Sequence, residues 1–232
     1  MRYWRSYQFV FISPKWLTNL VAGIVCMFVP ILGPIVLLGY QFEMIEAMLR
    51  DGEENYPDFD MNRVMNYLWR GAWPFIIQLV ASLPLILIII VSYFVFIAAM
   101  VTSAGDPGIW VYLLFGGLLI AAIVFGSVIL PLLILPLELR AGLSKNLRAA
   151  FSREFYFDLI RRCWKELIVA QLFIFASGFL LGLVGLLLCG LGTAPAQALT
   201  MFARSHLMYQ IYNRYLEKGG VPPAVQEVSV QA

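Results

Sequence analysis

Four long runs of the chain contain no charged residue, and they dominate the pattern of hydrophobic and polar positions. They cover residues 16–42, 71–105, 107–137 and 167–203. A helix crosses the hydrocarbon of a bilayer with about 20 apolar residues, so each run is long enough to span a membrane. Every Asp, Glu, Lys and Arg lies outside these runs. The pattern predicts an all-α fold, a polytopic transmembrane helical bundle.

Prolines and glycines divide two of the runs. Pro30 and Pro34 interrupt the first, and the Gly-Leu-Gly-Thr-Ala-Pro segment at 190–195 interrupts the fourth. Proline inside a helix removes a hydrogen bond and clashes with the preceding turn. A single helix over 167–203 would also be about 56 Å long, far more than a bilayer requires. The fourth run is therefore predicted to fold back, with one helix ending near 189 and a second beginning near 195.

The distribution of positive charge predicts the orientation. The connections 40–72 and 138–166 carry three and seven Lys and Arg residues, whereas the turn-forming segment 102–109 between the second and third runs carries none. Basic loops stay in the cytoplasm, which places both long connections there and makes the second and third runs a hairpin. The first run is either one kinked span or a hairpin turning at its prolines. The hairpin keeps the basic N-terminal residues in the cytoplasm.

The fold is expected to have five to six membrane segments. The hairpin interpretation gives about six, in a multi-pass protein of the inner (cytoplasmic) membrane with both termini in the cytoplasm. Residues 1–15 are expected to form an arm at the membrane surface, 16–218 a single helical membrane domain, and 219–232 a disordered tail. The composition agrees, because 61% of the residues are hydrophobic and only 13% are charged, against about 25% charged in soluble domains.

Two amphipathic stretches lie in the cytoplasmic connections. Asp60 and Asp158 are each placed to cap a helix with one apolar and one basic face. We expect both helices to lie flat on the inner leaflet, or alternatively to pack on the bundle as linkers. The second helix carries Arg161, Arg162 and Lys165, which are expected to attract anionic lipid.

Six polar residues near the proline breaks form the candidate functional cluster: Glu43, Glu46, Glu138, Arg140, Arg204 and His206. Charges within or beside membrane segments suggest a functional site. Two interpretations remain open, a structural network of ion pairs between the glutamates and the arginines, and a transport or binding site. His206 is the only histidine in the chain, and we expect it to lie at the membrane interface.

Motifs for catalysis and for cofactor binding are absent from the sequence. It has no phosphate-binding loop, no dinucleotide fingerprint and no zinc-binding motif. The three cysteines, Cys26, Cys163 and Cys189, are scattered and have the character of small core residues. Asp58 and Asp60 form at most a weak cation site. No cofactor, metal or nucleic-acid partner is expected; the expected partners are the lipid bilayer and either another membrane protein or a second copy of the chain.

Several segments carry a family resemblance: Tyr7–Phe11, Ser13–Leu17, Val29–Gly33, Tyr56–Asp60 and Ser205–Tyr212. They resemble a family of prokaryotic membrane proteins known as domain of unknown function 4013. The resemblance covers nearly the whole chain and implies the same membrane architecture. It implies no reaction, ligand or catalytic residue. Met208 departs from the family pattern, in which a glycine is expected.

Three classes of function follow from these observations. The leading hypothesis is a non-enzymatic membrane protein that organises lipid or partner proteins. The alternative is a small-solute or ion transporter or channel that uses the Glu/Arg cluster near the broken helices. A third class, an intramembrane lipid enzyme, would depend on His206, on Ser205 or on the Asp58 and Asp60 pair.

Overall fold

The computed structural model describes residues 1–103, 108–188 and 190–222, and every regular element among them is helical. This confirms the predicted all-α class. The helices are α1 (Arg5–Gln8), α2 (Trp16–Met27), α3 (Leu32–Asp51), α4 (Val64–Thr102), α5 (Ile109–Val124), α6 (Leu130–Ser144), α7 (Leu147–Ala150), α8 (Arg153–Leu187) and α9 (Thr193–Glu217). The chain divides into two compact units, one formed by Met1–Ile77 with Leu135–Ala232 and the other by Gln78–Ile134.

The first apolar run forms two helices, as the hairpin interpretation predicted. Helix α2 ends at Met27 and α3 begins at Leu32. Between them Ile31 has φ 65° and ψ −58°, and Leu32 N donates to Pro30 O at 2.7 Å. This is a γ-turn with positive φ, which is rare for a β-branched residue. Pro34 lies in the first turn of α3, where its missing N–H costs no helical hydrogen bond.

Helix α9 is the central element of the larger unit. It packs against α1, α2, α3 and α8, and its buried side chains include Phe202, Leu207, Met208 and Ile211. Met208 therefore fills space in the core where the family resemblance suggested a glycine. The fourth apolar run folds back as predicted, because α8 ends at Leu187 and α9 begins at Thr193.

Two glycines allow α3 and α4 to cross at very short distance. A Cβ added to Gly39 would lie 1.8 Å from Tyr67 O, and a Cβ added to Gly71 would lie 1.8 Å from Ile35 O. Each glycine therefore faces the backbone of the opposite helix. Any larger residue at either position would force the two helices apart.

The first amphipathic stretch is not a separate surface helix, contrary to expectation. Asp60 caps it as predicted, since Asp60 Oδ1 accepts from Asn62 N at 2.9 Å. A 3₁₀ turn at Met61–Arg63 then leads directly into α4, which continues to Thr102. Pro74 lies inside α4 and does not end it.

The second amphipathic stretch is the first part of α8. Cys163 has non-helical angles of φ −123° and ψ 19°, so α8 kinks between its amphipathic and its apolar portions. The predicted cap is wrong here. Ser152 occupies the N-cap position, and Asp158 lies inside the helix, where it accepts from Arg162 Nε at 2.7 Å and from Tyr215 Oη at 3.0 Å.

The unit Gln78–Ile134 contains the predicted hairpin of the second and third runs. Phe96 and Phe115 stack across it with ring centroids 4.3 Å apart, and Tyr112 Oη donates to Met100 Sδ at 3.4 Å. Residues 104–107 of the predicted turn lie outside the described part of the chain. A π-helical turn at Phe125–Ile129 precedes Pro131, where proline cannot supply the regular helical hydrogen bond.

Among the residues that the structure describes, four helices are long and apolar enough to cross a membrane: Leu32–Asp51, Met61–Thr102, Ile109–Ser144 and Arg153–Leu187. A fifth span is obtained if Arg5–Phe11 and Trp16–Met27, which meet at 103°, form one broken segment. Five is the lower end of the predicted range. Helix α9, the predicted sixth segment, is not among these candidates.

Both ends of the described part of the chain make specific contacts. In the N-terminal arm, Ser6, Phe9 and Val10 are buried while Trp4 is exposed, so one face packs in the bundle; its place at the membrane surface stays a prediction. At the other end Gly220 N donates to Tyr215 O at 2.9 Å. The predicted disordered tail lies outside the described residues from 223 onward.

Candidate functional site

Helices α3 and α4 turn their polar faces toward each other just beyond their glycine crossing. Glu43 on α3 binds Arg63 at the start of α4 with two contacts, at 2.5 Å between Oε1 and Nη1 and at 3.0 Å between Oε2 and Nη2. Such two-point pairing matches the planar fork of arginine. Glu43 thus fixes the start of α4 against α3.

One turn further along α3, Glu46 faces two cations. Its Oε2 lies 2.6 Å from Arg70 Nη2 and 3.8 Å from Lys145 Nζ. Arg70 is only 8% exposed, and its Nε has no hydrogen-bond partner among the described residues. Lys145 follows α6 with φ 52°, a left-handed conformation that favours glycine or asparagine.

These pairs line an open cavity of about 1230 Å³. Its walls are the polar faces of α3 and α4, the acidic segment 51–58, the Ile12–Pro14 corner and Lys145. Trp69 and Trp73 also line it. The lining contains both carboxylates and cations, so the cavity suits a charged or zwitterionic group rather than an apolar one.

Asp58 joins the acidic segment to the N-terminal part of the chain. Its Oδ1 accepts from Ser13 Oγ at 2.7 Å and from Asn19 Nδ2 at 3.1 Å, and Lys15 Nζ lies 3.6 Å from Oδ2. The hydrogen bond from Ser13, assisted by Asn19 and Lys15, lowers the pKa of Asp58. Asp58 and Asp60, the two carboxylates considered for a cation site, thus both have other partners: Asp58 binds Ser13 and Asn19, and Asp60 caps the turn that leads into α4.

A separate ion pair joins α6 to α9. Arg204 Nη2 donates to Glu138 Oε2 at 2.8 Å, and Glu138 is only 1% exposed. Glu138 Oε1 and Arg204 Nε have no hydrogen-bond partner among the residues that the structure describes. Arg140, two residues after Glu138, lies over the Phe155 ring at 4.9 Å from its centroid.

The predicted charge cluster is therefore distributed over separate contacts. Glu43 and Glu46 pair with Arg63 and Arg70 rather than with the predicted Arg140 and Arg204, because α4 approaches α3 closely at its glycines. Arg204 pairs instead with Glu138, a partner that the sequence analysis did not assign to it. The functional role of these residues stays a prediction.

His206 is fully buried rather than interfacial, contrary to expectation. Its Nε2 lies 3.0 Å from Glu53 Oε1, and its Nδ1 lies 3.0 Å from Ser6 Oγ. The Phe9 ring stacks on the imidazole at 4.7 Å. Burial lowers the pKa of His206, against the opposing effect of the Glu53 carboxylate. His206 therefore connects the N-terminal arm, the acidic loop and α9.

The residue types around His206 include those of a nucleophile, base and acid. Ser6 and His206 are both 0% exposed. Ser205, the serine considered for an enzyme, donates instead to Met201 O at 3.1 Å. The contacts around His206 are those of a satisfied core histidine.

The sequence alone did not identify Arg63, Arg70, Lys145 or Glu53 as partners. Arg63 and Arg70 are seven residues apart and so share one face of the helix. This spacing indicates a common basic face, but it does not show that the face contacts α3 rather than solvent. Glu53 and Lys145 gave no such signal, because their roles depend on how loops fold back onto distant helices.

The basic residues of α8 differ in their availability to lipid. Arg162 is engaged by Asp158 at 2.7 Å and also donates to Lys218 O. Lys165 Nζ lies 5.4 Å from the ring centre of Trp164, which is exposed. Arg161 is exposed on the same part of α8. Two of the three predicted lipid-binding cations therefore lie on a free surface beside an exposed indole ring.

The helices have long apolar faces, and several carry ion pairs at their ends. They define an all-α membrane protein that crosses the bilayer several times. The family model described as "Protein of unknown function (DUF4013)" matches residues 22–190, well over half of the chain, and the protein belongs to this family. The suspected resemblance is thereby confirmed. No curated protein and no solved structure matches the chain significantly.

Proposed function

We propose that the protein is a non-enzymatic, multi-pass protein of the inner (cytoplasmic) membrane that organises lipid or partner proteins, with both termini in the cytoplasm. The observation that carries this proposal is the separation of the charged residues from the exposed apolar faces of the helices. Many of the charged residues form ion pairs with one another, while the apolar helices present bare hydrophobic faces.

The hairpin of α4 and α5 supports this proposal most clearly. Its outward side chains are large and apolar, including Leu87, Val91, Phe94, Leu114 and Ile123. Two of its hydroxyl groups bond within their own helix, since Ser92 Oγ donates to Ile88 O at 2.6 Å and Thr102 Oγ1 donates to Ala98 O at 2.9 Å. Hydroxyls engaged in this way do not line a hydrophilic path.

The lipid partner is expected to be anionic and to bind at the exposed part of α8. Arg161 and Lys165 supply positive charge there, and Trp164 supplies a ring that favours the headgroup level. Arg162 contributes less, since Asp158 already neutralises it.

The test is the lipid composition retained by the protein after extraction in a mild neutral detergent. Mass spectrometry is expected to show anionic phospholipid enriched above its share of the source membrane. The Arg161→Gln/Lys165→Gln double variant is expected to lose that enrichment, whereas Arg214→Gln, in an exposed pair with Glu217, retains it. Retained lipid of the same composition as the bulk membrane would contradict the proposal.

The alternative function is transport of an ion or small solute. The Glu138–Arg204 pair favours it, because a carboxylate that is 1% exposed, with one oxygen that has no partner in the described part of the chain, is unusual for a purely structural role. Solute flux that depends on Glu43 or Arg204 would establish this alternative.

A further inference from the structure

The cations lining the charged cavity are not all neutralised in the same way. Arg63 makes two contacts with Glu43, and Arg50 makes three hydrogen bonds with Asp51. Arg70 and Lys145, by contrast, share the single carboxylate of Glu46. The corner of the cavity around Glu46 therefore carries one positive charge more than its carboxylate balances.

The amine of Lys145 lies far from its only ion-pair partner among the described residues. Its Nζ is 3.8 Å from Glu46 Oε2, beyond the range of a good hydrogen bond. The residue also adopts φ 52°, which costs a non-glycine residue about 1 kcal/mol. Lys145 thus ends α6 in a left-handed conformation, and its amine, on a side chain that is 46% exposed, is available to a ligand in the cavity.

Arg70 presents the complementary half of the same corner. It is 8% exposed, it lines the cavity, and its Nε lacks an acceptor among the described residues. A guanidinium that is largely removed from water attracts oxyanions strongly, because desolvation increases its electrostatic attraction. Arg70 and Lys145 approach the same Glu46 oxygen, so one anionic group beside Glu46 is within reach of both.

The rim of the cavity indicates what kind of molecule carries that group. Trp69 lines the cavity and is 67% exposed, and Trp73 lies one turn further along α4. Tryptophan favours the headgroup level of a bilayer. The cavity volume of about 1230 Å³ accommodates a polar headgroup.

We propose that this cavity binds a phosphate group between Lys145 and Arg70. The group belongs either to a phospholipid headgroup or to a small soluble phosphate, which share the same chemistry. This site lies on α4 and after α6, and it is distinct from the α8 surface of the proposed function. The two proposals therefore stand or fall separately.

The experiment is native mass spectrometry of the full chain released from neutral maltoside micelles. Three probes are added separately: dihexanoyl phosphatidylglycerol, inorganic phosphate, and dihexanoylglycerol, which lacks the phosphate. One molecule of phosphatidylglycerol or of phosphate is expected to bind. Binding of phosphatidylglycerol alone assigns the site to lipid, and binding of both with similar affinity assigns it to the phosphate group itself.

Three variants separate this site from general surface charge. Lys145→Gln keeps the same backbone strain and is expected to weaken binding about tenfold, as the loss of one charge-assisted hydrogen bond predicts. Glu46→Gln removes the competing carboxylate and is expected to tighten binding several-fold. Arg148→Gln removes an exposed charge three residues from Lys145, outside the cavity, and is expected to change nothing.

The opposite signs of the two cavity variants keep the test independent of folding, since a damaged protein would not bind more tightly. The proposal is overturned if none of the phosphate probes binds. It is also overturned if dihexanoylglycerol binds as well as phosphatidylglycerol, if Arg148→Gln weakens binding as much as Lys145→Gln, or if Glu46→Gln leaves binding unchanged or weaker.

Discussion

Arg204 on α9 donates to Glu138 on α6 at 2.8 Å, and the carboxylate of this pair is 1% exposed. Residues 66 positions apart in the chain are thereby joined by a buried ion pair. The attraction between such charges is offset by the cost of removing both from water, so the pair has little net effect on stability. The removal of one partner has a large effect, because the other charge is left buried alone.

The first prediction concerns this pair. Arg204→Gln is expected to lower the free energy of unfolding by about 3 kcal/mol, because Glu138 then loses its counter-charge. The double variant Glu138→Gln/Arg204→Gln is expected to recover most of that loss, since two neutral amides remain. The measurement is denaturant unfolding in detergent, arranged as a double-mutant cycle. The exposed Arg214–Glu217 pair serves as the control, with an expected coupling of about 0.5 kcal/mol.

The second prediction concerns the crossing of α3 and α4. Gly71→Ala is expected to prevent close packing of the helices and to lower the melting temperature strongly, because its Cβ would lie 1.8 Å from Ile35 O. Gly117→Ala is the matched control, since nothing lies within 4 Å of an added Cβ there. The control is expected to be neutral or about 0.5 kcal/mol more stable, as alanine favours helix over glycine. Equal thermal stability of the two variants would show that the crossing is wrong.

The third prediction concerns pH and His206. Burial lowers the pKa of this residue, while the unfolded chain retains the ordinary value of about 6.5. Between these two values the unfolded state binds more protons, so stability rises with pH. The stability that neutral, buried His206 contributes is complete above about pH 6.5 and is lost progressively as the pH falls below this value.

The measurement is the melting temperature in detergent from pH 8 to pH 5. The wild-type protein is expected to lose stability below about pH 6.5, and His206→Gln is expected to flatten this dependence. The variant is expected to be less stable at pH 8, because it cannot stack on Phe9 or reach both Ser6 and Glu53 with the same geometry. A wild-type profile that rises on acidification would contradict the account.

The fourth prediction concerns Asp58. Asp58→Ala is expected to lower stability by about 2 kcal/mol, because Ser13 and Asn19 each lose an acceptor. Since the pKa of Asp58 is lowered, this contribution is present at neutral pH. It is lost only as the pH falls below about 3.9 toward the folded value. Asp51→Ala, whose ion pair is with the adjacent Arg50, is the control and is expected to leave the melting temperature unchanged.

The sequence was a good guide wherever a single segment determined the outcome. Four uncharged runs predicted the helical class, and Pro30, Pro34 and the glycine-rich segment before Pro195 predicted where the chain turns. Asp60 was correctly predicted to cap a helix, because the Asx cap depends on the next two residues only. In each case the physical cause is local.

The same reasoning failed where distant segments meet. Glu43 was paired with the wrong arginines because the Gly39–Gly71 crossing, which brings Arg63 to α3, depends on two helices at once. His206 was placed at the interface because Ser6 and Glu53, which bury and satisfy it, lie some 150 to 200 positions away along the chain. Asp158 was predicted to cap a helix because it is an aspartate just before an amphipathic stretch, but α8 begins earlier, at Arg153.

The most direct test of the proposed organising role is flux through liposomes that contain the purified protein. Pyranine-loaded vesicles report proton movement, and potassium-loaded vesicles report cation efflux, each compared with protein-free vesicles. We predict no flux above that background, and the same result for Glu43→Gln and Arg204→Gln. Flux in the wild-type protein that either substitution abolishes would contradict the account and establish the transporter instead.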